Sequence, residues 1–141
     1  MSHLTDEIFA AEREHSLGVQ LLEAADRDMV RGRIVSRYGG RADWIWETVD
    51  GCASVHDTEG WKWIGEFVGS RSCVLLFNKS EEVGMFHVPS GASLHQLLSN
   101  TFAFEFYVTD VDGSYLICFN HHDVLLCCGG AREWLEQRMA T

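Results

Sequence analysis

The chain has 141 residues, of which 46% are hydrophobic and 11% aromatic, and its formal net charge is −10. This composition excludes a disordered or low-complexity protein, and the length fits a single domain with a substantial core. The negative charge argues against general nucleic-acid binding and against anionic membranes, since both interactions need a basic surface.

The segment from Met1 to Glu7 is acidic and lacks the cationic and apolar regions of a signal peptide. No apolar run approaches the roughly 20 residues that cross a bilayer. The five cysteines are odd in number and show no C-x-x-C spacing. They predict buried free thiols in a cytoplasmic protein rather than disulfides or a zinc site.

Residues 4–37 have a helical pattern. The apolar residues of the main helix recur at three- and four-residue steps: Leu17, Leu21, Leu22, Ala25 and Met29. Ser16 is expected to cap this helix, and Gly39-Gly40 to end it. The pattern leaves open whether residues 5–14 belong to the same helix or to another one.

The middle of the chain predicts short elements. Residues 42–49 fit either a strand or a helix, with a short helix favoured, and residues 51–60 are expected to form a loop. Trp61, Ile64, Phe67 and Val68 predict another short helix. Residues 72–78 and 83–88 predict a hairpin that places Cys73 opposite His87. We favour a buried structural pair there over a catalytic thiol–imidazole pair.

The last forty residues predict three strands and a closing helix anchored by Trp134 and Leu135. Pairing Phe119 with Val124, and Thr109 with Ser114, gives an apolar sheet face. This face contains Phe104, Phe106, Val108, Tyr115, Ile117, Phe119, Val124, Leu126 and Cys128. The expected fold is α+β, with N-terminal helices packed on a mostly antiparallel sheet of about five strands.

The turn between the second and third of these strands, Asn120-His121-His122-Asp123, is the one compact cluster of metal-capable side chains in the sequence. His121, His122 and Asp123 could ligate zinc or ferrous iron if the loop bends them inward. We favour a polar loop in which Asn120 and Asp123 bond backbone N–H groups, because successive residues usually diverge.

Glu105 lies in the first of these strands and is predicted to face Cys118. Desolvation would raise the pKa of its carboxyl and prepare it as a general base. The favoured alternative is a position at the rim of the sheet, or a hydrogen bond to Tyr107 or to a backbone donor. The turn Asp110-Val111-Asp112-Gly113 lacks the remaining ligands of a calcium loop and predicts a hairpin turn.

Two charged segments are adjacent in the sequence. The first carries five arginines, for which we favour a solvated helix face over a phosphate site: Arg27, Arg31, Arg33, Arg37 and Arg41. The second, residues 43–66, interleaves six acids with four tryptophans: Trp44, Trp46, Trp61 and Trp63. Tryptophans surrounded by acids are suited to a basic partner, and here a binding surface and a plain core are about equally supported.

The block Phe106-Tyr107-Val108-Thr109-Asp110 followed by Tyr115 to Asp123 resembles a segment of small, acidic, uncharacterised bacterial proteins. Some of these resemble the immunity proteins that neutralise polymorphic toxins. The resemblance covers the last third of the chain and carries no residue roles. It implies a bacterial cytoplasmic binding protein.

Together these features predict a non-enzymatic domain that binds a basic protein partner, conceivably as an immunity-type inhibitor of a toxin domain. The predicted binding residues are Trp44, Trp46, Asp57, Trp61, Trp63, Asn120, His121, His122 and Asp123. No cofactor, nucleic acid or membrane is expected. The alternative is a metal-assisted hydrolase with His121, His122 and Asp123 as ligands and Glu105 as base.

Overall fold

The computed structural model describes residues 3–39, 51–101 and 105–140. These ranges contain five α-helices: α1 (His3–His15), α2 (Ala24–Tyr38), α3 (Ile64–Val68), α4 (Gly91–Ser99) and α5 (Arg132–Ala140). A 3-10 helix, Gly60–Trp63, precedes α3. The strands are β1 (Gln20–Leu21), β2 (Ala53–His56), β3 (Cys73–Leu76), β4 (Phe86–Val88), β5 (Phe106–Thr109), β6 (Tyr115–Phe119) and β7 (Val124–Gly129).

The strands form one antiparallel sheet in the order β1-β4-β3-β5-β6-β7-β2. The predicted α+β class, the N-terminal helices and the C-terminal helix are confirmed. The predicted number of strands is wrong, because the sheet has seven strands in the described part of the chain rather than five. The short β1 lies in the stretch predicted to be helical, and β2 lies in the stretch predicted to be a loop.

The N-terminal helical pattern is interrupted after His15. Ser16 has a φ of 52° and follows α1, so the prediction that it caps the main helix is wrong. The Glu12 carboxylate accepts hydrogen bonds from the backbone N–H groups of Leu17 and Val19, at 2.7 and 3.3 Å, and holds the chain in an extended turn. The main helix, α2, ends at Gly39 as predicted, with a left-handed φ of 75°.

The sheet is covered on both faces. On the first, which we call the main face, α1, α3, α4 and α5 contribute Ile8, Ile64, Leu97 and Leu135 to the larger apolar core. On the second, which we call the α2 face, Val30 and Ile34 of α2 pack in a smaller core. That core also contains Val74, Leu76, Met85, Tyr107, Leu116, Cys118 and Cys128.

The β6–β7 hairpin has a different register from the predicted one. Phe119 pairs with Leu125 rather than Val124, because the loop has three residues and the Asn120 N–H bonds Val124 O at 3.1 Å. The one-residue difference reverses β7, so Val124 and Leu126 leave the predicted face. Leu125 and Cys127 pack in the main core instead.

The β5–β6 register also differs, although the faces of its residues are preserved. Phe106 pairs with Phe119, two residues from the predicted partner, and a two-residue shift keeps side chains on the same face. Phe106, Ile117 and Phe119 accordingly pack in the main core. The Asp110–Gly113 segment forms the predicted turn, with Gly113 N–H bonding Asp110 O at 3.2 Å.

The β3–β4 hairpin separates the two residues predicted to face each other. Cys73 pairs with Val88, whereas His87 pairs with Val74. Cys73 therefore packs in the main core, and the predicted Cys73–His87 pair is wrong. Burial raises the pKa of the Cys73 thiol to about 12.

Two of the cysteines form a disulfide, Cys52–Cys128, which the sequence prediction of free thiols missed. Because β2 replaces the predicted loop and pairs with β7, Cys52 lies directly opposite Cys128, with 4.4 Å between the two Cα atoms. The remaining three cysteines are buried free thiols, as predicted: Cys73, Cys118 and Cys127.

The arginines of α2 bind backbone carbonyls of the sheet connections. Arg31 donates to Phe77 O at 3.2 Å, Arg33 to Val111 O at 2.6 Å and Arg37 to Gly113 O at 3.0 Å. These contacts attach α2 to the sheet, a role that the prediction of a solvated face did not include. Among the described ranges no helix is long and apolar enough to span a bilayer.

Candidate functional site

The β6–β7 loop is built by local hydrogen bonds of its first residue. Asn120 is buried, and its Oδ1 accepts hydrogen bonds from the backbone N–H groups of His122 and Val124, at 2.9 and 3.2 Å. Asp123 closes the turn with a φ of 59°, a conformation that Asp tolerates better than most residues. Asn120 thus has the turn-tightening role that the sequence favoured, and His121 and His122 lie exposed at the tip.

Behind the loop lies a buried polar network on the α2 face. Glu105 Oε1 accepts from the His121 backbone N–H at 3.2 Å and lies 2.8 Å from His121 Nδ1. Its Oε2 accepts from Asn78 Nδ2, while Asn78 Oδ1 accepts the Tyr107 hydroxyl at 2.6 Å. Glu105 therefore bonds a backbone donor, as one alternative predicted, and is connected to Tyr107 through Asn78.

The network fixes His121 from within. The Glu105 side chain is 3% exposed and that of His121 is 55% exposed, so a buried carboxylate holds a solvent-facing imidazole. A proton on Nδ1 satisfies the carboxylate and leaves Nε2, across the ring, as a hydrogen-bond acceptor. The His122 ring packs beside it, with 4.0 Å between the ring centroids. The loop can present two imidazoles in a defined orientation.

The network also affects a thiol. Burial first, and the charge of Glu105 second, raise the pKa of Cys118 well above its ordinary value. Glu105 was predicted to lie opposite Cys118, and the residue in that position is Tyr107 instead. A thiol in such surroundings stays protonated and is a poor nucleophile.

A second polar segment follows β2. The Asp57 carboxylate accepts the Glu59 N–H at 2.8 Å, and the Gly60 N–H bonds Asp57 O at 3.0 Å. The turn then packs closely on the hairpin, because a Cβ at Gly60 would lie 3.4 Å from both Leu125 and Phe119. A Cβ here would be at the lower limit of ordinary van der Waals contact, so the turn and the hairpin lie close together.

The two segments meet at one end of the sheet. The Asp57 N–H donates to Asp123 O at 2.9 Å, so residues that are 66 positions apart share one hydrogen bond. This contact joins two of the predicted binding clusters, the one around Asp57 and Trp61 and the loop Asn120–Asp123. The sequence predicted each cluster but gave no sign that they are neighbours.

The tryptophans of this region pack partly on the main core. Trp61 stacks on His95, with 5.9 Å between the ring centroids and an interplanar angle of 20°. Trp63 lies under Arg138, whose guanidinium carbon is 4.5 Å from the ring centroid. Arg138 also bonds Glu66 at 2.7 Å. Trp63 therefore helps hold α5, whereas Trp61 stays partly exposed beside the turn.

The predicted binding residues Trp44 and Trp46 lie outside the described residues. Within the described ranges, no group of three or more His, Cys, Asp or Glu side chains is arranged to hold a metal ion. His121 and His122 are adjacent, but Glu105 is buried and bonded through both carboxylate oxygens.

Sequence analysis missed Asn78. It lies two residues after the end of β3 and is fully buried, and its amide joins Glu105 and Tyr107. A polar residue at the end of the apolar run Cys73–Phe77 was the available signal, because a buried amide needs polar partners. Comparisons with protein-family models, with curated proteins and with solved structures found no match to this chain.

Proposed function

We propose that this chain is a non-enzymatic domain that binds a basic protein partner at the sheet end where its two polar segments meet. The proposed docking surface consists of Asp57, Glu59, Trp61, His121, His122 and Asp123. The observation that carries the proposal is the hydrogen bond from Asp57 N–H to Asp123 O, because it makes one surface from two clusters that the sequence separates.

The chemistry of this surface supports a cationic partner. Three of its side chains are carboxylates, and one of these, Glu59, forms an ion pair with Lys62 at 2.8 Å. Trp61 supplies a flat aromatic anchor, and the two imidazoles supply hydrogen-bonding groups. Clustered carboxylates around such an anchor attract and orient a basic partner.

The neighbouring surface extends the same site. His95, on which Trp61 stacks, also lines a groove between α3 and α4 with Gly65 and Gln96. A side chain of the partner that enters this groove would contact the far face of His95. The last third of the chain resembles small acidic bacterial proteins, some of which resemble immunity proteins, and this adds a toxin domain as the class of partner.

The test is capture of a basic protein by two variants with equal net charge. The first, Asp57→Asn/Glu59→Gln/Asp123→Asn, neutralises the docking surface with side chains of nearly the same shape. The matched control, Glu23→Gln/Asp26→Asn/Asp28→Asn, removes three exposed charges on and beside α2. Wild-type protein and both variants are immobilised and exposed to an extract of the source cells, and each captured protein is then purified.

We expect wild-type protein and the control to retain a protein with a basic isoelectric point, and the docking variant to lose it. With the purified partner, calorimetry should show a Kd at least about tenfold higher for the docking variant and little change for the control. Equal weakening in both variants would contradict a specific surface. Capture of no basic protein by any of the three would contradict the function.

A further inference from the structure

The disulfide connects two neighbouring strands, β2 and β7, at the end of their ladder opposite to the docking surface. β2 pairs with β7 from Ala53–Cys127 to His56–Val124, and the Cys52–Cys128 bond continues this ladder by one position. The two cysteines are separated by 76 positions, so the bond joins distant parts of the chain. It fixes the start of β2, because Cys52 directly precedes Ala53.

Without this bond, β2 has few attachments in the described part of the molecule. It has four residues and forms one edge of the described sheet, so it pairs with β7 alone. Ala53 and Val55 are partly buried, and the side chains between and after them are exposed. β2 also contacts α5, and Arg132 of that helix donates a hydrogen bond to Gly51 O, just before the strand, at 2.9 Å.

The other thiols are unsuited to exchange chemistry. Burial raises the pKa of Cys73 and of Cys127 to about 12, and the pKa of Cys118 is raised further by Glu105. Thiols that remain protonated neither attack nor resolve a disulfide at neutral pH. Redox chemistry is thereby confined to the Cys52–Cys128 pair. Of these two residues Cys52 is partly exposed and Cys128 is 1% exposed, so Cys52 is the more accessible member of the pair.

The end of β2 leads directly to the docking surface. His56 is its last residue, and the next residue, Asp57, donates the hydrogen bond to Asp123 that joins the two polar segments. Loosening β2 therefore weakens this hydrogen bond and one attachment of the turn that presents Glu59 and Trp61. The turn also packs on the hairpin through Gly60 and on His95 through Trp61. The hairpin β6–β7 keeps its own ladder and stays in place.

We propose that the Cys52–Cys128 disulfide is a redox switch that holds β2 on the sheet and thereby assembles the docking surface. The reductant is a protein or small-molecule dithiol. Its thiolate attacks Cys52, the S–S bond breaks, and Cys128 leaves as a thiolate that takes up a proton. The second sulfur of the reductant then attacks the reductant's first sulfur in this mixed disulfide and displaces Cys52, which takes up a proton. The reductant leaves as its own disulfide, so that two electrons and two protons pass to the Cys52–Cys128 pair. The effect on partner binding rests on the proposed function, whereas the structural switch does not.

The test follows the protein alone by hydrogen exchange, with dithiothreitol as the probe. Alkylation of the unfolded, unreduced protein followed by mass spectrometry should count three thiols, and five after reduction. We expect reduction to raise the amide exchange rate in residues 53–63 by about tenfold or more, because it removes one local constraint. The exchange rates in β3 and β5 should change little. The variant Cys52→Ser/Cys128→Ser should exchange at the reduced rate and not respond to dithiothreitol.

Three results would overturn the switch. These are five thiols in the unreduced protein, unchanged exchange in residues 53–63 after reduction, or an equal rise in all strands, which would make the bond a general support of the fold. If the double variant does not fold, reduced wild-type protein gives the same measurement. Failure to find a basic partner would contradict the proposed function and leave the exchange result intact. With a captured partner, reduction should weaken binding at least about tenfold.

Discussion

The two faces of the sheet are stabilised in different ways. On the main face, four helices bury apolar side chains in a large core. The α2 face has a smaller apolar core and supplements it with hydrogen bonds, from α2 arginines to carbonyls and from Tyr107 to Asn78 and on to Glu105. Apolar burial gives most of the stability of a fold, whereas a satisfied polar network fixes geometry. The face with the polar network is the one that positions His121.

Deleting a large side chain from the main core is the strongest way to test this comparison. Phe86 is fully buried and packs edge-on against Phe9 and Phe77, with ring centroids 5.9 and 6.4 Å away. Phe86→Ala should lower the free energy of unfolding by about 3–5 kcal/mol, since it removes apolar burial and leaves a cavity. Urea unfolding followed by fluorescence measures the change. A loss below about 1 kcal/mol would mean that the main face carries less of the stability than its packing indicates.

The polar network predicts a smaller effect from a change of nearly the same shape. Tyr107→Phe keeps the ring and removes the hydroxyl that bonds Asn78 Oδ1, which leaves a buried acceptor unsatisfied. The expected loss of stability is about 1–3 kcal/mol. The matched control is Tyr38→Phe, because the hydroxyl of Tyr38 bonds Gly113 O in a partly exposed site where water can replace it.

The control should lose less than about 1 kcal/mol in the same unfolding experiment. Equal losses in the two variants would show that burial of the Tyr107–Asn78 bond makes no difference. A second measurement tests whether the network positions His121 in addition to stabilising the fold. In the Tyr107→Phe protein, the His121 imidazole resonances should shift, since Asn78 connects Tyr107 to the Glu105 carboxylate that holds the ring.

The same contrast explains what the sequence could reveal. Apolar patterning found the final three strands, because most of their side chains are buried. It found α2 and α5 on less evidence: α2 buries Val30 and Ile34, whereas the predicted Leu17, Leu21 and Leu22 precede the helix, and α5 buries Leu135. It did not find β2, whose residues alternate with only Ala53 and Val55 partly buried. That one omission concealed the disulfide as well, since Cys52 faces Cys128 only if β2 pairs with β7.

The loop of the site was predictable in composition but not in geometry. The residues 120–123 stood out by their chemistry, and the role of Asn120 followed from the known behaviour of Asn in turns. The register did not follow, because a loop of three residues in place of four reverses every side chain of β7. The contact between Asp57 and Asp123 depends on that register and on β2 together, so no local pattern could predict it.

Alkaline pH gives the finest test of the comparison, because the main face buries two thiols. Burial raises the pKa of Cys73 and of Cys127 to about 12, from an ordinary value of 9.0. The unfolded chain then loses these protons first, so stability is fully present below pH 9 and falls as the pH rises toward 12. At pH 10 each thiol should lower the free energy of unfolding by about 1.4 kcal/mol relative to pH 8.

Cys127→Ala removes one of these contributions. The variant should be less stable than wild-type protein at pH 8, because it loses a buried side chain, but its further loss between pH 8 and pH 10 should be smaller by about 1.4 kcal/mol. Urea unfolding at both pH values, each within minutes of the pH change to limit thiol exchange, measures the difference. An identical loss in the two proteins would mean that the Cys127 thiol is not held protonated by the main core. The alkaline sensitivity would then belong to the other buried groups whose pKa is raised, Cys73 and Tyr115 on the main face and Cys118 on the α2 face.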